Sequence, residues 1–169
     1  MNERPHRGLD LVKGTASSHH SRYLRFRLAE EDFAIPLLSI REVVAMPETT
    51  RVPHTPAHFM GIMNLRGQII SIFDLRSKLG FKSERSSETA VVICDFEPLR
   101  FGVVVDSVEA VMTLDDADIS PRPDVDTRVN SEYIQGVARR DQRLVLLLDL
   151  PKALSLEDLI AMKKVAAAS

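Results

Sequence analysis

Apolar residues along the chain gather into short β-rich runs punctuated by turn signals. Such runs cover Tyr23 to Leu28, Phe33 to Leu37, Ile40 to Met46, Gln68 to Phe73, Thr89 to Cys94, Phe101 to Val105, Val108 to Leu114 and Leu144 to Leu148. Many short strands at this spacing predict a β-barrel or sandwich. Helix is sparse before the C-terminus. Thr55 to Gly61 reads as one turn, with Thr55 as cap, Pro56 at the first helical position and Gly61 as the stop. Asp74 to Gly80 repeats that logic, with Asp74 as cap and Gly80 closing. Lys82 to Glu88 reads as a loop. After Pro151, Ser155 and Asp158 form an S-x-x-D start, with Leu156, Leu159, Ile160 and Lys163 at helical spacing, so residues 155–169 form a terminal helix or tail. Residues 1–22 mix glycine, proline, serine, histidine and basic residues around one apolar patch, Leu9 to Val12, and read as a flexible tail.

The pattern also repeats. Phe33-Ala34-Ile35, Leu37, Ser39-Ile40 and Val43 match Phe101-Gly102-Val103, Val105, Ser107-Val108 and Val111 at an offset of about 68 residues. Gly61-Ile62, Ile70, Ile72 and Asp74-Leu75 match Gly136-Val137, Val145, Leu147 and Asp149-Leu150 at an offset of about 75, the extra residues being tolerable in loops. Two similar β lobes follow, the first mainly 33–80 and the second mainly 89–150, and small barrels packed together are the natural architecture. A feature present in only one copy is a candidate for function. Arg66-Gly67 stands opposite Asp141-Gln142, and Glu42 opposite Ala110. Gly67 has a ready explanation in hairpin geometry. A turn needs no guanidinium, so Arg66 has three readings: a solvated turn residue, a structural partner of Glu42, or a contact for another protein's carboxylates or carbonyls.

Composition removes several function classes. Apolar residues make up 44% and charged residues 27%, ordinary for a globular chain, and 169 residues suffice for one domain or two small lobes. A formal net charge of −2 favours neither nucleic acid nor direct membrane insertion. No apolar run approaches the roughly 18 residues of a membrane span, and the first 22 residues lack a signal-peptide core, so a cytoplasmic location is expected. The single cysteine, Cys94, lies in an apolar run and reads as an inert core residue. None of the seven glycines builds a phosphate or dinucleotide loop. His54 and His58 read as surface histidines, since Pro56 between them prevents a shared helical face and no other ligand completes a metal set. Asp115, Asp116 and Asp118 lack the calcium-loop pattern and read as a loop or helix start. Ser71 and Ser107 lack the glycines of a nucleophile elbow. Neither catalysis nor a cofactor nor a metal is expected.

Thr55-Pro56-Ala57, Gly61 and the run Asn64-Leu65-Arg66-Gly67-Gln68-Ile69-Ile70-Ser71-Ile72-Phe73-Asp74-Leu75-Arg76 resemble the signature of the CheW family of bacterial chemotaxis coupling proteins. Ile40, Glu42, the Phe101 to Asp106 run and Ser131 to Gly136 support the resemblance, which covers residues 23–154. It implies a mostly β fold of two SH3-like five-stranded β-barrel lobes with short helices. It also implies a non-catalytic adaptor that couples the cytoplasmic tips of chemoreceptors to the regulatory domain of the CheA-type histidine kinase and is recruited to membrane-associated receptor arrays. The receptor-binding positions it implies are Ile40, Glu42, Gly61 and Arg66, with Asn64 and Gly67 in the same hairpin; kinase-binding residues are not assigned. Ser71 stands where the family commonly has proline. A coupling protein of a non-flagellar pathway is the alternative within the class, and a small-ligand-binding β-barrel the alternative outside it.

Overall fold

The computed structural model describes residues 20–121 and 129–168. The tail expected over 1–22 therefore lies almost entirely outside the described residues. Eleven strands follow in order: β1 (Ser21–Leu28), β2 (Glu31–Pro36), β3 (Ile40–Ala45), β4 (Phe59–Leu65), β5 (Gln68–Asp74), β6 (Ala90–Phe96), β7 (Leu99–Val105), β8 (Ser107–Leu114), β9 (Ile119–Ser120), β10 (Ile134–Arg140) and β11 (Arg143–Leu148). Helices α1 (Leu75–Lys78), α2 (Leu150–Ala153) and α3 (Leu156–Ala168) complete the described fold. One sheet runs β3-β6-β7-β5-β4 and the other β8-β1-β2-β11-β10-β9. The fold is mostly β, as the short runs predict, in two packed SH3-like lobes, as the family resemblance implies.

The duplication is visible in the topology, but the two sequence halves do not each build one sheet. The β1–β2 hairpin of the first half joins the β8 to β11 sheet, and the β6–β7 hairpin of the second half joins β3, β4 and β5. A lobe boundary between residues 80 and 89 therefore cuts across both sheets. The join is made by parallel pairs, β2 with β11 and β5 with β7, which place Phe33 beside Leu146 and Val103 beside Phe73. The reason is burial. Alternate residues of each central strand face opposite sides. On β7, Phe101, Val103 and Val105 enter the large core between the lobes, while Val104 enters a smaller core with Met63, Ile70, Ile72, Val91 and Ile93. On β2, Phe33 and Ile35 enter the shared core, while Ala34 enters the other small core with Met112, Leu114, Ala138, Val145 and Leu147. Each hairpin is thus buried on both faces, which only a central place in a sheet provides.

Two local readings change. Thr55 to Gly61 forms no helix: Thr55 Oγ1 donates to the Val52 carbonyl (2.8 Å), Phe59 N–H to Pro56 (3.0 Å), and β4 begins at Phe59. Proline at the second position of so short a segment cannot offset strand pairing to β5. The α1 and α3 starts do form as read, Asp74 accepting from Arg76 N–H and Ser155 and Asp158 exchanging backbone bonds of 2.9 and 3.3 Å.

His58 is not a surface histidine. Its side chain is 17% exposed and bonds through Nε2 to Asp158, which is fully buried and also takes a 2.9 Å bond from Lys78 Nζ. Burial alone pushes the Asp158 carboxyl up; the bonds from Lys78, the Ser155 N–H and His58 outweigh it and hold the carboxyl below its ordinary range. Because the folded value lies below the unfolded one, this stabilisation is present above about pH 4 and is lost as pH falls through the folded value. Thermal melts of the native chain and Asp158→Asn will therefore differ at neutral pH and converge below about pH 4. A constant gap down to acid would show that Asp158 stabilises α3 by shape alone.

Candidate functional site

All six candidate residues fall on one lobe, on β3 and on the β4–β5 hairpin. The two-residue turn has positive φ at both central positions, Arg66 (+52°) and Gly67 (+84°), the twist that suits a tight hairpin. Asn64 Oδ1 accepts from Gly67 N–H at 2.9 Å and fixes the turn. The second copy turns the same way, with Asp141 at +52° and Gln142 at +62°, so the turn itself is scaffold.

What lies across the turn differs. Arg66 donates Nη1 and Nη2 to the two carboxylate oxygens of Glu42, each at 3.0 Å. β3 and β4 are the two outer strands of their sheet, so contact between them means that the sheet has curled until its edges meet. Thr50 and Ile62 close the same seam with two 2.8 Å backbone bonds. In the other lobe Arg140 crosses the seam with a bond to the Thr113 carbonyl (2.8 Å) and meets no carboxylate there. Of the three readings of Arg66, the partnership with Glu42 is the one formed in the free chain. It leaves the Arg66 side chain 78% exposed against 23% for Glu42, so donor capacity faces solvent.

Gly61 sits inside β4 at φ +135°, where an added Cβ would lie 2.2 Å from the Thr50 carbonyl oxygen. Its role is to let the seam close, and its recurrence as Gly136 fits a folding requirement. Ile40 is half-buried, packed on the shared core where β3 begins. Sequence reading missed the exposed apolar residues beside this site: Leu38 at 99%, Val43 at 41% and Ile69 at 44% exposure. The duplication partners of Val43 and Ile69, Val111 and Leu144, are also exposed, a signal that the offset could have revealed.

Chemistry is not assembled here. Cys94 is fully buried and burial pushes its thiol well up, leaving it unreactive. Asp115 and Asp118 cap a short 3₁₀ turn, as a helix-start reading requires. Among the described residues no group of three or more His, Cys, Asp or Glu is placed to hold a metal, and no helix is long and apolar enough to cross a membrane.

Two barrel lobes on a shared core, with the bidentate Arg66–Glu42 pair exposed on one of them, define a binding module. The chain belongs to the CheW-like domain family, whose model matches residues 22–158. It is 33% identical over 145 residues to the chemotaxis protein CheW of Klebsiella aerogenes, covering 85% of this chain and 87% of that one. It is 30% identical over 140 residues to CheW of Treponema pallidum, covering 79% and 82%. The crystal structure of the scaffolding protein TtCheW from Thermoanaerobacter tengcongensis superposes with a TM-score of 0.76 at 29% identity, covering 82% of this chain and 95% of that one. The protein is a non-catalytic chemotaxis scaffold of this family.

Proposed function

We propose that the protein couples chemoreceptor cytoplasmic tips to a CheA-type histidine kinase, working in the cytoplasm at membrane-associated receptor arrays. Ile40, Glu42, Asn64 and Arg66 form the receptor-docking surface, and Gly61 and Gly67 hold its backbone. The observation that carries this reading is the Arg66–Glu42 pair: bidentate, mostly solvent-facing on the arginine side, and matched in the second lobe only by a looser 4.0 Å contact of Arg25 with Asp141 at the equivalent turn position. A pair of this exposure contributes only about 0.2–1 kcal/mol to folding, so stability alone does not account for it. An arginine held flat by one carboxylate is pre-organised to offer its remaining donors to a partner.

Titration of the full chain with a receptor-tip fragment tests the reading. Arg66→Ala and Glu42→Ala are each expected to weaken binding about tenfold, equivalent to ~1.4 kcal/mol. Their melting temperatures should fall by no more than the small value of a surface pair. Equal losses of stability and affinity would instead make the pair a structural seam clasp. Failure of the native chain to bind either the tip or the kinase's regulatory domain would remove the coupling role altogether.

A further inference from the structure

The connection from β3 to β4 forms one wall of a cleft of about 650 Å³, and the end of β5, α1 and the loop after α1 form the other. None of the receptor-docking residues lines it. Its apolar lining includes Val52, Pro56, Phe59 and Met60, while the side chains of Thr49, Arg51, His54, Ser77 and Ser83 meet there and bond to nothing among the described residues. Thr50 is fixed by its two 2.8 Å backbone bonds to Ile62, so Thr49 and Arg51, which flank it, are presented from backbone that is already held. Little ordering is left for a ligand to impose. His54 on the same wall follows Pro53 in a turn at φ +60°, a position that glycine or asparagine usually fills. The other non-glycine residues at positive φ, Ala29, Arg66, Asp141 and Gln142, all sit in the tight turns of β-hairpins; His54 does not. Backbone strain of this kind collects at binding sites.

Charge decides what kind of ligand fits. The acidic lining residue, Asp74, is already matched, because Arg76 reaches both of its oxygens, at 2.9 Å through Nε and 3.2 Å through Nη2. Arg51 therefore brings one uncompensated positive charge, beside the hydroxyls of Thr49, Ser77 and Ser83, which can donate or accept. Lys164 directs its ammonium to the His54 carbonyl, 3.4 Å away, and does not line the cleft. A lone guanidinium matches a carboxylate with two parallel donors, whereas a dianionic phosphate would keep one charge unmatched. The apolar lining asks for more than a bare ion, so the complementary ligand carries its carboxylate on an apolar body.

We propose that this cleft is a binding site for a small organic acid: its carboxylate pairs with Arg51 and the hydroxyls of the lining, and its apolar body lies on Val52, Pro56 and Met60. The site stands independently of the receptor reading. A ligand in it bridges the β3–β4 connection, and with it the closed seam at Thr50, to α1.

The test is a titration of the full chain with benzoate, followed through the backbone amide resonances of Thr50, Arg51, Ser77 and Ser83, with benzamide as the uncharged isostere and inorganic phosphate as the bare anion. Benzoate is expected to shift these amides saturably, and each control to bind at least about tenfold more weakly. Arg51→Gln should weaken benzoate about tenfold at an unchanged melting temperature, because the side chain is exposed and bonds to nothing in the fold. Arg139→Gln, which removes an exposed arginine from the other lobe, should bind benzoate as the native chain does. Benzamide binding as tightly as benzoate would reduce the cleft to an apolar crevice, and phosphate binding as tightly would make it a general anion site; either result overturns the proposal. Equal losses in the two arginine variants, or benzoate that leaves these amides unshifted, would overturn it as well.

Discussion

Gly61→Ala is expected to destabilise the domain by about 3–5 kcal/mol, at the upper end of what single substitutions do. The new Cβ would lie 2.2 Å from the Thr50 carbonyl oxygen and 2.7 Å from its carbon, and both are backbone atoms held by the two bonds that close the seam to Ile62. Neither can rotate away as a side-chain tip could. The residue also sits at φ +135°, outside the regions open to alanine. Gly67→Ala provides the comparison: φ is also positive, but no atom lies within 4 Å, so the cost is the left-handed conformation alone, about 1–2 kcal/mol. Urea titrations of the two variants measure the difference directly. A Gly61→Ala protein with the native midpoint would mean that the seam opens at little cost. The result also governs how receptor-binding data are read, since affinity lost in a Gly61 variant reports a broken seam before it reports a lost contact.

The strands legible in the sequence include those whose side chains declare two buried faces. Val91 to Cys94 and Val145 to Leu148 are continuous apolar runs because their residues alternate between the shared core and a barrel interior. β4 and β10 are absent from the strands that the hydrophobic pattern predicts. Each is interrupted by the glycine that permits close approach of a neighbouring segment, and β10 ends in two arginines at a solvent-facing turn. The exchange of hairpins between halves left no local mark, because the residues that build a hairpin are the same whichever sheet it enters; only the parallel pairs of β2 with β11 and β5 with β7 decide it. In the candidate site, comparison of the two copies singled out Arg66 and Glu42, which the structure pairs, since the difference between copies is itself a sequence property. The network of His58, Lys78 and Asp158 stayed hidden because its histidine and its aspartate are separated by 100 residues.

Arg76→Ala is expected to cost about 3–5 kcal/mol, the typical effect of removing one member of a buried charge network. The Arg76 guanidinium is 5% exposed and meets three groups: Asp74 through Nε (2.9 Å) and Nη2 (3.2 Å), Asp106 Oδ1 through Nη1 (3.0 Å), and the Glu84 carbonyl through Nη1 (2.7 Å). Asp106 lies where the chain leaves β7 in one sheet for β8 in the other. Its Oδ2 accepts from Ala29 N–H (2.6 Å) in the β1–β2 turn, and its own N–H donates to the Arg27 carbonyl (3.0 Å). One arginine on α1 thus braces one lobe against the hairpin that the other lobe has received. The alanine variant strands two carboxylates, of which Asp74 is only 9% exposed. Arg76→Lys should recover less than half of the loss, because a single ammonium cannot match the fork that spans three acceptors. If Asp106 is a true partner, Arg76→Ala combined with Asp106→Ala will cost less than the sum of the two alone, by at least about 1 kcal/mol. Strict additivity in that cycle would reduce Arg76 to a cap on α1, and the lobes would then be held together by their shared apolar core alone.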